Sequence, residues 1–318
     1  MSLGHLSRKP TQWSHNGFYF YTVVPLYVLI AIGAALRLTA ADDKWIEVFN
    51  KFGLYLGFPA IVFSSLVKIP AGGILETRTI ACNILFLFAV VILMHLIGRL
   101  LPLSTSLRNT YVICVFYGNV AYLGFPFITS VIPGSNASVS IHIAIYVAFL
   151  FTVGILMLEL SKGRGVAGLP SIAKNIVTSP LLLSVVAGLL FRSTGLQLPL
   201  FIERSIDLLA SSAAPMVLLA IGMFMVRRIE LDKSLIHIAI LSSLKLIALP
   251  LCFLLFARLA SSNDAFAVSI IEAGMPVGIT VFALAEIYPL EKQVVASVIV
   301  MSTIFSAVTL PILTGYVV

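Results

Sequence analysis

The chain has 318 residues, 60% apolar and 10% charged, with 20 Lys and Arg against 13 Asp and Glu for a net charge of +7. A soluble domain carries roughly 45–50% apolar and about 25% charged residues, and could neither bury this much apolar surface nor cover itself with so few charges. A cytosolic enzyme, a disordered chain and a secreted disulfide scaffold are therefore excluded.

A bilayer crossing takes about 20 mostly apolar residues, and only a helix satisfies its own backbone there. After a polar tail over 1–17, the pattern predicts ten crossings: 18–38, 48–67, 79–98, 109–131, 139–160, 175–193, 205–226, 234–259, 265–287 and 292–316. The connections are short and charged, and the longest, 161–174, carries Lys162, Arg164 and Lys174. Arg8 and Lys9 precede the first apolar run, so a cleaved signal peptide is weighed too. Cys82, Cys114 and Cys252 lie within apolar runs and read as small buried hydrophobes.

Cationic residues set the orientation. Arg8, Lys9, Lys68, Arg78, Arg192, Arg204 and Arg258 fall on one side, seven in all. Arg37, Lys44, Lys51, Arg99, Arg108, Lys162, Arg164, Lys174, Arg227, Arg228, Lys233 and Lys292 fall on the other, twelve in all, with Lys245 inside a span. The excess places both termini outside and the 161–174 loop in the cytoplasm. The positive balance belongs to these loops and not to a nucleic-acid surface.

An internal repeat is legible. The spacing Pro-x7-Gly-x3-Arg occurs as Pro25, Gly33, Arg37 and again as Pro180, Gly188, Arg192, 155 residues on. Pro59 and Pro215 follow at an offset of 156, and Pro126 and Pro276 at 150. Two five-span halves, 18–160 and 175–318, are therefore expected. An odd number of spans inverts the second half, the 5+5 inverted repeat typical of secondary transporters. The repeat also argues that the first apolar run is a permanent helix.

The fourth and ninth spans hold Gly and Pro at mid-membrane: Gly118, Gly124 and Pro126 in one, Gly274, Pro276 and Gly278 in the other. One reading is two kinked but continuous helices. The sharper one is two broken helices crossing at the prolines, whose half-helix N-termini aim unpaired N–H groups and positive dipole ends at a common point. Such a point suits an anion.

Pro25-Leu-Tyr-Val28, Gly57-Phe-Pro-Ala60, Asn119-Val-Ala-Tyr-Leu-Gly-Phe-Pro126, Ser212 to Gly222 and Met275-Pro-Val-Gly278 together resemble the auxin efflux carrier family over about residues 20–315. The resemblance implies an all-α membrane protein of ten transmembrane helices, with spans 4 and 9 broken and crossing at prolines and carboxylates carried at the crossing. It implies alternating access, with spans 1, 2, 6 and 7 moving against the rest, and a homodimer. The short 161–174 loop resembles the bacterial members and so implies a bacterial inner membrane. Ser179 stands where the family often has asparagine, and Val277 where plant members carry glutamine, so an auxin-like aromatic substrate is not supported.

The expected substrate-binding residues are Asn119, Tyr122, Gly124, Pro126, Ser179 and Pro276. Asn119 brings an amide to mid-membrane, as a ligand or as an interhelical hydrogen-bond partner. Glu272 and Lys245 are intramembrane charges, read as a coupling or charge pair that either carries protons or is structural. His142 reads as a packed residue more readily than as a proton carrier. No metal-ligand, phosphate-loop, cofactor or nucleophile motif occurs, so neither an enzyme nor an ATP-driven pump is expected. The expected function is a carrier of small organic anions, mono- or dicarboxylic acids, in a lipid bilayer. The alternatives are a sodium-coupled symporter, or an anion channel or membrane sensor on the same fold.

Overall fold

The computed structural model describes residues 15–69, 77–161, 174, 177–226, 234–259 and 266–318. Among these the chain is helical throughout: α1 His15–Thr39, α2 Asp43–Val67, α3 Thr77–Leu100, α4 Thr105–Phe116, α5 Val120–Val131, α6 Asn136–Ser161, α7 Pro180–Ser193, α8 Leu200–Met225, α9 Leu235–Leu259, α10 Ala267–Ala273, α11 Thr280–Leu284 and α12 Lys292–Val317. Six of them (α2, α3, α6, α8, α9 and α12) are long and apolar enough to cross a membrane, and α5, α7 and Val23–Thr39 of α1 are shorter apolar helices. Of the expected tail, 1–14 lie outside the described residues and α1 already begins at His15; 162–173 of the expected cytoplasmic loop and the 227–233 connection also lie outside.

Local chemistry sets the helix ends. Asp42 caps α2, its Oδ1 accepting from the Lys44 and Trp45 N–H groups, and Ser104 caps α4 by accepting from Leu107 N–H. The seventh helix opens at Pro180, where a proline's missing N–H costs nothing, and 175–176 of the expected span lie outside the described residues. Gly195, at φ +66, turns the chain out of α7 in the left-handed conformation glycine tolerates.

The outer faces are apolar. Leu85, Ile92, Leu93 and Leu96 of α3, Val186 and Leu190 of α7, and Val308 and Ile312 of α12 are all exposed. Contiguous exposure of this kind needs hydrocarbon as its solvent, and the chain is a multi-pass integral membrane protein. By contrast, every residue from Asn109 to Phe116 of α4 and most of α10 are buried. Helices apolar all round belong at the centre of a bundle.

Two glycines bring α1 and α8 into backbone contact. A Cβ on Gly33 would lie 2.1 Å from Leu219 O, and one on Gly222 would lie 1.9 Å from Ile30 O. Small residues permit such approach, which is how membrane helices gain packing energy without a hydrophobic drive. Gly188 of α7 takes a similar place against Leu66 and Phe63 of α2.

The helices α2, α5, α6 and α9 contain wide turns at Gly53–Gly57, Val120–Gly124, Leu150–Gly154 and Leu244–Ala248. All but the one in α6 end two residues before a proline: Pro59, Pro126 and Pro250. A helical proline lacks the N–H for residue i−4 and clashes with that carbonyl. Widening the preceding turn removes both conflicts. Two of these turns close on the same pentapeptide, Tyr-Leu-Gly-Phe-Pro, at 55–59 and 122–126.

Candidate functional site

The chain leaves the helical path at Tyr117–Asn119, between α4 and α5, and again from Gly274 to Ile279, between α10 and α11. The two interruptions lie side by side and pair as a short antiparallel bridge, Gly118 opposite Val277. Asn119 N–H donates to Pro276 O at 2.6 Å, and Gly278 N–H donates to Tyr117 O at 3.2 Å. Ser302 of α12 accepts from Val277 N–H at 3.1 Å. Three N–H groups released from the two helices are thus satisfied in place.

Pro276 lies within its interruption, while Pro126 lies in the first turn of regular helix after the wide turn of α5. The first departure from helix therefore comes seven to nine residues before Pro126, at Tyr117–Asn119. Glycine explains the location. A Cβ at Gly118 would press on the Lys245 ammonium at 3.0 Å, and one at Gly278 would stand 2.9 Å from the Tyr117 ring. The N–H groups from Val120 to Tyr122 have no carbonyl within their own helix to receive them.

Most of the expected residues gather here. Asn119 is buried beside Pro276, and a Cβ on Gly124 would meet Asn119 O at 3.3 Å and the Met275 side chain. Tyr122 is half-buried and stacks on Phe58 of α2, with ring centroids 4.9 Å apart and planes 16° from parallel. Ser179 does otherwise: it is buried as the N-cap of α7, its Oγ accepting from Leu182 N–H at 3.4 Å.

The two buried charges, Lys245 and Glu272, do not pair directly with each other. Lys245, wholly buried in the wide turn of α9, donates to Ala273 O at 3.1 Å and so caps the C-terminal end of α10, where a cation suits the helix dipole. Glu272, also wholly buried, has His142 of α6 as its neighbour, Nδ1 to Oε2 at 3.3 Å without hydrogen-bond alignment. Asn83 of α3 completes the group, donating to Ser269 Oγ at 2.7 Å and Thr79 O at 2.8 Å, with its Nδ2 3.4 Å from His142 Nε2. Asn83 was missed as a site residue; an amide in the third span was its one signal.

A cleft of about 610 Å³ opens between α2, α5, α6 and α8, lined by Ser64, Ser65, Lys68, Phe125, Asn136 and Asp207 among others. Phe125 of its lining is the chain neighbour of Gly124 and Pro126. At its rim Lys68 donates to both Asp207 oxygens at 2.8 Å and lies 3.5 Å from Glu203, while Ser64 Oγ donates to Asp207 at 2.8 Å. The Asp207 carboxylate holds the Lys68 ammonium above the usual lysine range.

The chain is similar to a protein of Rhizobium meliloti (strain 1021) named "Putative malonate transporter", 27% identical over 296 residues that make up 90% of this chain and 92% of the relative. It is also 28% identical over 306 residues to an "Uncharacterized transporter" of Methanothermobacter thermautotrophicus, covering 92% of this chain and 96% of that one. Both relatives are named as transporters and not as enzymes. The pattern of the family described as "Membrane transport protein" matches residues 18–314, and the chain belongs to that family, in line with its resemblance to the auxin efflux carriers.

Proposed function

We propose that the chain is a secondary carrier of small organic anions, mono- or dicarboxylic acids, that binds its substrate where the two interrupted spans meet and works by alternating access. The observation that carries this reading is the bridge between Gly118 and Val277, where α5 begins, with the Lys245 ammonium against Gly118. In this reading Asn119, Tyr122, Gly124, Pro126 and Pro276 form the substrate site, Ser179 positions α7 at its edge, and Glu272 with Lys245 supplies the charge behind it. The Rhizobium relative named for malonate makes a short dicarboxylate the first substrate to try.

The same reading takes the chain as ten crossings in two inverted halves, 18–160 and 175–318, joined by the cytoplasmic 161–174 loop, with both termini outside a bacterial inner membrane. Two features support the halves. Gly33 and Gly188, which share a place in the repeated spacing, each let their helix approach the second long helix of the opposite half, α8 and α2 respectively. The two interruptions are also each other's partners across the repeat.

The test is uptake of labelled malonate into vesicles holding the purified chain. Asn119→Ala and Pro126→Ala should each lower uptake at least about tenfold, the worth of about 1.4 kcal/mol at the site, while leaving membrane insertion unchanged. Uptake at the level of the unaltered chain in both variants discards the site assignment.

A further inference from the structure

We propose that His142 and Glu272 form a proton-binding site that takes up one proton for each organic anion bound at the paired interruptions, with Lys245 as the electrostatic link between the two. The proposal rests on the reading of the chain as a carrier of organic anions and adds to it the coupling ion, the atom that receives it and the ratio.

The Glu272 side chain is fully enclosed, and neither of its oxygens has a hydrogen-bond partner. An ionised carboxylate so placed is tolerable only when an opposing charge faces it, and otherwise becomes neutral by gaining a proton. The surrounding elements supply few groups. From α6 come His142 and, one turn on, Tyr146, whose hydroxyl is also unpartnered. From α3 comes Asn83, from α9 Lys245, and from α4 Cys114 beside that lysine.

The Asn83 amide is already spent: its two Nδ2 protons go to Thr79 O at 2.8 Å and Ser269 Oγ at 2.7 Å, leaving none for His142 Nε2 at 3.4 Å. The proton settles on the Glu272 carboxylate, whose Oε2 lies 3.3 Å from His142 Nδ1, forming one O–H bond with a proton drawn from water.

Charge then links this site to the anion. With the interruptions empty, Lys245 and Glu272 balance. Lys245 Nζ reaches Ala273 O, next to Glu272, and also stands against Gly118 in the facing interruption. An anion arriving at Gly118 and Asn119 engages the lysine's field and leaves Glu272 uncompensated in a medium that screens poorly. A proton on Glu272 restores the balance, and when the anion departs the proton is lost.

The experiment uses the full chain in detergent at about pH 7.5, weakly buffered with an indicator dye, and malonate as the probe. Binding is read by thermal shift and proton uptake by the dye. One proton taken up per malonate bound is expected, falling to none per malonate bound in Glu272→Gln. In vesicles clamped at zero membrane potential, a gradient of one pH unit, acid outside, should raise the accumulation of malonate about tenfold; His142→Gln should lose that gain. Malonate binding without proton uptake by the unaltered chain overturns the proposal alone, as does accumulation that follows a sodium gradient and ignores the pH gradient. Absence of any malonate-induced shift overturns the dicarboxylate reading and the proposal together. Each of these overturning outcomes is read on the unaltered chain, so a variant that fails to fold alters none of them.

Discussion

The Asn119 N–H and the Pro276 carbonyl meet at 2.6 Å, joining two residues 157 positions apart in sequence and from opposite halves of the expected repeat. Bonds of this kind fix the distance between the two interruptions more tightly than side-chain packing would. Gly278 shares the bridge and has no room for a methyl group: the Tyr117 ring would stand at 2.9 Å and the Gly118 carbonyl at 3.1 Å. Gly278→Ala should therefore cost about 1–3 kcal/mol, the usual penalty of overpacking, and depress malonate uptake. Thermal unfolding in detergent and vesicle uptake check the two effects separately.

The contact between α1 and α8 predicts a contrast among glycines. Gly33→Ala and Gly222→Ala each drive a methyl into opposing main chain at 2.1 and 1.9 Å, and main chain does not yield as a flexible side chain does. Each should fall at the upper end of the overpacking range, about 3 kcal/mol. Gly315→Ala, with nothing within 4 Å, should be neutral or gain up to about 1 kcal/mol of helix stability. Parallel melting curves of the three variants test this.

The ion pair at the cleft rim has a pH signature of known sign. Lys68 is raised by its bond to Asp207, so the stability the pair contributes is complete below the ordinary lysine pKa of about 10.4 and is lost as pH climbs through the higher folded value. Side-chain exposures of 47% and 45% keep it solvent-screened, and a contribution of about 0.2–1 kcal/mol is expected. Asp207→Asn should remove that amount near neutrality and flatten the alkaline decline. Stability measured against pH in low and high salt checks it, the difference shrinking in high salt.

Tyr122 can be divided into ring and hydroxyl. The stacked Phe58 makes the ring part of the packing between α2 and α5, and Phe58→Leu should lose about 0.5–1.5 kcal/mol of aromatic pairing. Tyr122→Phe keeps the stack, so a fall in malonate affinity without a fall in melting temperature would place the hydroxyl against the substrate. A fall in both would assign Tyr122 to packing.

Much of this was legible in the chain. Hydropathy alone marks the apolar runs, because lipid as solvent leaves little freedom in how they are arranged, and Gly with Pro at mid-membrane marks both interruptions. The place of the first was legible only to within about two turns: Pro126 draws attention, yet it sits in helix, since the wide turn before it absorbs the clash. Hydropathy cannot distinguish an ordinary turn from a wide one, so the wide turns are not legible in it. The pairing of Glu272 with His142 was equally hidden. The two lie 130 residues apart, and charge matching points from Glu272 to Lys245 and not to a neutral ring. Ser179 shows a further limit, since a hydroxyl before Pro180 reads as well as a helix cap as it does as a ligand.

The wide turn at Leu244–Ala248 carries one residue more than regular winding would hold, and each residue in a helix advances the direction of its side chains by about 100°. Pro250 thus acts as a phase shifter, setting the angle at which Lys245 leaves α9. Were that proline replaced by alanine and the helix to rewind, the ammonium would swing away from Ala273 and out of register with Gly118, although no residue that touches it had changed.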